Sequence, residues 1–444
     1  MKKIVALFLG AALLMLTGCP SEPTKIDQKQ EKPDKTEKQT DTPEEPATQE
    51  SPATSATQEL SEAEKVRKAA LDRIAAHKTK WGVTPEKNGQ YKPKLLVTLT
   101  EDMTQPDGMT VNPKTKTIFL NCPNFNYRPG DKGPKNFPGT LVRIKLDGDK
   151  ATAEKLLTYE EKAPFPETGQ VGPMGLFFGP DGHLYVCDNQ YFFNPNNKSR
   201  VLRVKMDGDD PTGDVEVVVE GTKLSNALYW TADRMFVSDT FLDIEGEFGA
   251  GCVWAFPKDE VLKAGAEGNP PIKVNPVKKM GDDPRCITIQ KVKKLPGCGN
   301  GGVDGLTVDK DGVVYCGNFG NGEMYRIVFD AEGKATTDVI HEAGEYFSCC
   351  DGIFYDADTN KVYINDSAGN AIHAFVPPAA GAKAVFETLW ENGDTDGADG
   401  SLDQPCECVV VDGKMVIANF DWPFPELLNT QADEPNTLSV INLK

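Results

Sequence analysis

The chain has 444 residues, of which 39% are hydrophobic, and 67 Asp and Glu outnumber 48 Lys and Arg for a formal net charge of −19. That acid excess excludes a basic surface for nucleic acid or for adhesion to anionic lipid, and it suits a well-solvated or cation-binding protein. After the first twenty residues no apolar run approaches the roughly 20 residues of a spanning helix.

Lys2 and Lys3 lead into the apolar run Ile4 to Leu16, and Thr17-Gly18-Cys19 follows. A basic start, a short apolar segment and small residues at the end form a secretory signal, expected over residues 1–18. Leu16-Thr17-Gly18-Cys19 resembles the lipobox of bacterial lipoproteins, which implies cleavage before Cys19 and fatty acylation of its thiol. Two or more acyl chains hold a protein stably on a membrane. The expected location is therefore the bacterial cell envelope, with the outer membrane favoured by Pro20 and the folded part extracytoplasmic.

Residues 19–60 are dominated by Pro, Thr, Glu, Gln, Lys and Ser and hold too little apolar surface to order themselves, so a tether is expected. Ser61-Glu62-Ala63-Glu64 forms a capping box, which predicts a helix to about His77 within a connector over 61–92. Its imperfect apolar stripe of Val66, Ala69, Leu71, Ile74 and Ala75 leaves open whether it packs on the domain or belongs to the stalk.

From about residue 93 short β-rich runs alternate with Asp-Gly and Gly-rich turns, and one unit recurs six times. Each begins with a residue at a ring position, runs through an apolar strand and a turn, and ends in a second strand closing on Asp or Asn. The starts are Asp107, Met174, Asn226, Asp304, Asp351 and Glu407, between 47 and 78 residues apart. Each repeat can hold a four-stranded sheet, and radial repetition of such sheets is a β-propeller. The expected fold is all-β, a six-bladed propeller over 93–444, because no helical pattern separates the strands as a parallel α/β fold requires.

Five of the six starts carry oxygen donors and four are carboxylates. Gathered round one axis they would repel and raise one another's pKa unless a cation neutralised them. A hard divalent ion takes such donors, with Ca²⁺ expected first and Mg²⁺, Mn²⁺ or Zn²⁺ as alternatives. The competing account is turn chemistry, each Asp capping its own backbone.

Leu224-Ser225-Asn226-Ala227-Leu228-Tyr229-Trp230, Val303-Asp304-Gly305-Leu306 and Ser348-Cys349-Cys350 resemble, in this order, motifs of the senescence marker protein/gluconolactonase/luciferin-regenerating enzyme group. That resemblance implies a metal held by a Glu, the Asn of Ser-Asn-Gly and the Asp of Pro-Asp-Gly. Asn226 and Asp304 match the last two, and Glu407 supplies the Glu if the chain is permuted by one blade. Asp107 is its rival, and Asp351 is a further ring member. The implied activity is metal-dependent hydrolysis of lactones or related esters, with Asp304 as metal ligand and general base. Two departures stand out: Gly172-Pro173-Met174-Gly175 lacks the family's substrate-contacting amide, and Ser-Asn-Ala replaces Ser-Asn-Gly.

The partners expected are the membrane, through the lipid anchor, and a small lactone, ester or carbohydrate-like ligand; a protein partner stays open, with a non-catalytic envelope scaffold as the competing function. A quinone-dependent sugar dehydrogenase is disfavoured by the scarcity of His and Arg in the repeats, and no Gly-x-Ser-x-Gly elbow points to a serine hydrolase. The ten cysteines after Cys19 suit disulfides, with Cys286 and Cys298 the first pair expected from the short segment between them. The four histidines are scattered in sequence, and His183 is expected in an exposed turn. Asp394-Thr395-Asp396-Gly397-Ala398-Asp399-Gly400 has the texture of a calcium loop, but Pro405 stands where an EF-hand needs its last Glu, so it reads as a solvated loop.

Overall fold

The structure, a computed structural model, describes residues 60–83, 88–125, 137–193 and 196–444. The segments expected to be a signal peptide and a tether, with Cys19 between them, lie outside these residues. Among those described, no helix is long and apolar enough to cross a membrane.

Six sheets follow one another, five antiparallel with four strands and one with a fifth strand added in parallel, as the six repeats predicted. In each, the strand that opens the repeat lies innermost and the chain steps outward. Val303–Val308, Val314–Asn318, Met324–Phe329 and Ala335–His341 form one blade in that order. These strands are rich in Val, Ile and Tyr, and both faces of the second strand of each blade are buried, because blades pack face to face.

The sixth blade closes the ring. Its outermost strand is Lys94–Thr98, from the start of the described β region, paired with Thr437–Asn442 at the end of the chain. Closure thus ties the two ends together and covers the sheet faces that an open row of blades would leave exposed, while each blade keeps a short outer edge. The longest interval between repeats, from Asn226 to Asp304, carries an insertion. It holds a short helix, Lys258–Lys263, and the two-residue strand Ile272–Lys273, which pairs with the preceding blade as its fifth strand.

The predicted helix, α1, spans Glu62–Trp81, four residues beyond its expected end. It packs on the propeller at the end of the channel where the innermost strands begin. Ile74 enters an apolar cluster with Cys349, Ala368 and Leu427, which Phe319 and Phe424 flank. Ala70 rests on Gly297, whose missing side chain matters because a Cβ there would meet the Ala70 nitrogen at 2.2 Å. Arg67 donates to the Leu428 carbonyl (3.3 Å) and Arg73 to the Pro296 carbonyl (3.4 Å), while Trp81 donates to Glu345 and packs on Tyr346 at 5.0 Å. The helix therefore bridges the loops of blades three to six, which a stalk helix could not do.

All ten cysteines of the described residues are free and buried, correcting the expected Cys286–Cys298 bridge. Cys286 begins the strand Cys286–Lys291 and faces Cys252 of the neighbouring strand. Cys298 lies beyond the far end of that strand, beneath α1, with its thiol against Arg73. Five strand steps of about 3.4 Å already carry the chain about 17 Å, more than twice the span a disulfide can bridge.

Candidate functional site

The ring positions are built by a shared irregularity. In blades two, three and four the innermost strand pairs with its neighbour at Pro173, Ser225 and Val303, then slips register before Leu176, Leu228 and Leu306. A bulge of this kind re-aims the side chain at its start. Met174, Asn226 and Asp304 occupy it, each two residues before the first regular pair. By the same spacing Asp107 and Asp351 stand two before Met109 and Ile353. The residue after Asp304 must be small, because a Cβ on Gly305 would lie 1.9 Å from the Asp351 carbonyl oxygen of the next blade. The recurrent Asp-Gly thus serves packing between blades as well as turn chemistry.

Blade six departs from the sequence alignment. After Pro405 with Asn419 the register slips before Glu407 with Ala418, and the next pair, Cys408 with Ile417, is equivalent to Leu306 with Cys316, so the ring position proper belongs to Cys406. Glu407 stands one residue later. Its longer side chain folds back, with Oε1 accepting from the Cys408 amide at 2.9 Å, and its carboxylate lies against Gly352 of blade five. From there it remains within electrostatic reach of Asp107 and Asp351.

The structure does bring the predicted residues together. The Asn226 amide lies near enough to Asp304 to favour its charged form, and the Thr240 hydroxyl donates to Asp304 at 3.4 Å. Ser367 donates to Asp351 at 2.5 Å. Asp304 is buried, and Asp107, Asn226, Asp351 and Glu407 are half-buried along the narrow channel. Burial first, and then the neighbouring carboxylates, push Asp107 and Asp304 well above the usual carboxyl range. Glu407 is pushed up in the same way, and burial raises Asp351 to about 7. Carboxyl and amide oxygens that crowd each other upward in this way are the donor set a hard divalent cation takes. No three His, Cys, Asp or Glu side chains among the described residues already close on one point, so the amide of Asn226 and water would have to complete any coordination shell.

Met174 fills the ring position of blade two and is buried, so that side of the channel is apolar. Above it the loops following the second strands carry aromatics. Phe125, Phe192 and Trp422 pack in mutual contact at 5.1–5.2 Å, and Trp422 continues onto Phe424 at 5.3 Å. Phe424 also touches the Ile74 cluster, so aromatics and α1 together roof the channel end.

Three of the four histidines, dispersed in sequence, converge under α1. His341 stacks on Phe347 at 4.1 Å, and His373 stacks on the same ring at 5.1 Å. His373 bonds Thr388 at 3.0 Å, and with His77, Asp366 and Glu391 it lines a small cavity. Burial lowers His341 to about 4, so it is neutral and acts as a packing residue that accepts from the Tyr346 amide. No local motif announces this gathering, since the three come from α1 and the outer strands of two blades. His183, expected to be exposed, is half-buried and accepts from the Met206 amide at 3.1 Å.

Residues 140–350 match the model of the family described as SMP-30/Gluconolactonase/LRE-like region. No curated protein matches the chain by sequence. Among solved structures, an aldose sugar dehydrogenase from Streptomyces coelicolor aligns at 15% identity over 78% of this chain and 97% of its own, with a TM-score of 0.48. A luciferin-regenerating enzyme aligns at 11% identity over 78% and 94%, TM-score 0.47. The periplasmic gluconolactonase of Pseudomonas aeruginosa aligns at 11% over 76% and 74%, TM-score 0.39.

Proposed function

We propose, for a chain whose residues 140–350 match the model described as SMP-30/Gluconolactonase/LRE-like region, that the propeller is a metal-dependent hydrolase of lactones or related esters. The observation that carries this reading is the Asn226–Asp304 pair, side by side in a channel whose carboxyl groups are all pushed upward. Both residues fall inside the matched region, whereas Asp107, Asp351 and Glu407 fall outside it.

Asn226, Asp304 and Glu407 would hold a divalent cation, Ca²⁺ first, with Asp107 and Asp351 close by. Such a cation, when bound, polarises a carbonyl and lowers the pKa of a water. Asp304 is the base, taking the proton of the attacking water on its carboxylate. Thr240 orients that carboxylate through its hydrogen bond, with the Asn226 amide beside it, and Ser367 orients Asp351 in the same way. Met174 offers no hydrogen bond to a sugar hydroxyl, so the pocket fits the ester group better than a polyol.

A second reading, a non-catalytic envelope scaffold anchored through Cys19, is favoured by the roof that α1 and the aromatics place over the channel. Metal content and lactone hydrolysis of the purified protein, with and without chelator, separate the two. Hydrolysis that is lost on chelation and restored by Ca²⁺ supports the enzyme. Bound metal with no turnover on any lactone or ester supports the scaffold.

A further inference from the structure

The loop Asp394–Gly400 does not end in solvent. It wraps over the start of blade six, and Gly397 lies against Asp403, where a Cβ would stand 3.2 Å from the Asp403 Cβ and 2.9 Å from the Thr437 hydroxyl. Gly397 has φ +64°, a conformation that costs glycine nothing. Asp421 and Asp433, from the connection that follows the strand Lys414–Asn419, approach the same place.

Asp403 is 3% exposed, and its Oδ1 is buried with no hydrogen-bond partner. Asp421, equally buried, accepts from the Asn429 amide group at 3.0 Å and the Asp433 backbone amide at 2.7 Å. Asp394 and Asp396 are exposed on the rim, Asp394 accepting from Thr430 at 2.7 Å. No Lys or Arg among the described residues forms an ion pair with Asp394, Asp396, Asp403 or Asp433. Burial and then the charges of Asp421, Asp433, Asp394 and Asp396 raise Asp403 to about 9. A buried carboxyl oxygen with no partner is unfavourable, and protonating Asp403 would add a donor without giving Oδ1 a partner.

We propose that Asp403 and Asp421, with oxygens of the loop Asp394–Gly400, form a second calcium site that pins this loop to blade six. The donors within reach are carboxylate, hydroxyl and carbonyl oxygens, with no imidazole or thiol in the cluster, which selects a hard cation over zinc. Calcium takes six to eight oxygens and accepts carbonyls and water among them. It therefore needs fewer carboxylates than a site built from three acidic or sulfur side chains, and none of that kind is preformed here. The site is assembled from three chain segments, which is why it lacks the spacing of an EF-hand. It is separate from the channel ring and does not depend on the hydrolase reading.

The test uses the full chain, stripped with chelator and titrated with Ca²⁺ alone by calorimetry, and with Tb³⁺, whose emission the neighbouring Trp422 can sensitise. Asp403→Asn should lose the rim Ca²⁺ equivalent, the sensitised emission and the part of the Ca²⁺-dependent rise in Tm that belongs to it, while Asp304→Asn, which removes a ring ligand, should keep the rim equivalent and the sensitised emission. Asp394→Asn and Asp396→Asn, both at exposed positions that the fold tolerates, should each weaken the same equivalent by about tenfold. If Asp403→Asn and the rim variants bind Ca²⁺ as the parent does, the site does not exist. If Asp403→Asn raises the Tm of the stripped protein and no Ca²⁺ effect is ever seen, Asp403 is a buried neutral acid and the proposal is overturned. A parent that binds one Ca²⁺, lost in Asp403→Asn but not in Asp304→Asn, would sustain this site and remove the cation from the ring.

Discussion

The molecule holds two acidic clusters, and they are built in opposite ways. The channel ring draws one residue from each of several blades, placed by bulges that recur with the repeat. The rim cluster around Asp403 draws all its members from the loops of one blade junction and repeats nowhere else. In the ring the crowding is relieved by neutral partners, with Asn226 and Thr240 on Asp304 and Ser367 on Asp351. At the rim one buried carboxyl oxygen has no such relief. The repeat frame supplies a polar side-chain neighbour to Asp304 and Asp351, whereas Asp403 at the rim lacks one, and the cation proposed there would satisfy it.

The largest expected effect falls on the ring alone. Asp304→Asn removes the proposed base and should lower kcat/KM for lactone hydrolysis by about 10²–10⁴-fold, while Asp403→Asn leaves it unchanged. Equal losses in both variants would mean that the two clusters are not functionally distinct.

Next in size is the helix that roofs the ring. Ile74→Ala removes a side chain packed on Cys349, Ala368 and Leu427, and should weaken the seating of α1 by about 2–4 kcal/mol. Hydrogen exchange should show α1 opening while the blade strands stay protected. Protection of α1 equal to the parent's would show that its polar anchors, Arg67 and Arg73, suffice.

Smaller, and common to both clusters, is a pH dependence of the metal-free protein. Asp351 is raised to about 7 and Asp403 to about 9. The folded state therefore keeps protons that the unfolded chain releases above about pH 4. The stability they confer is complete below that pH and falls as pH rises, first through about 7 and then through about 9. In chelator, Tm should decline across this window. Ca²⁺ should flatten the decline, Asp351→Asn should remove its lower part and Asp403→Asn its upper part. A Tm that climbs from pH 5 to pH 9 in chelator would contradict both assignments.

The smallest effect is expected at Asp107, which carries no hydrogen bond to Asn226 or Asp304. Asp107→Asn should change turnover only a few-fold, whereas Glu407→Gln should change Ca²⁺ affinity at the ring by more. The reverse order would make Asp107 the acidic ligand from outside the matched region.

Much of this was legible beforehand. The six repeats, their innermost strands and the ring residues Asp107, Asn226, Asp304 and Asp351 follow from a period that each blade must satisfy to bury both its faces. Glu407 was legible as an acid but not in its register, because the bulge in blade six shifts Cys406 into the ring position and only backbone pairing reveals a slip of one residue. The expected Cys286–Cys298 bridge failed for a related reason: closeness in sequence across a strand becomes distance along it.

What the chain by itself determined is whatever repeats or is local: strand alternation, Asp-Gly turns, the capping box of α1 and the acid balance. Tertiary structure alone decided where non-repeating parts meet. It seated α1 on the loops of blades three to six, stacked His341 and His373 on Phe347 with His77 beside them, and folded Asp394–Gly400 over Asp403. These contacts join residues far apart in the chain and carry no period, so no local pattern encodes them. They exist only because ring closure between Lys94–Thr98 and Thr437–Asn442 brings every loop at one end of the channel to the same rim.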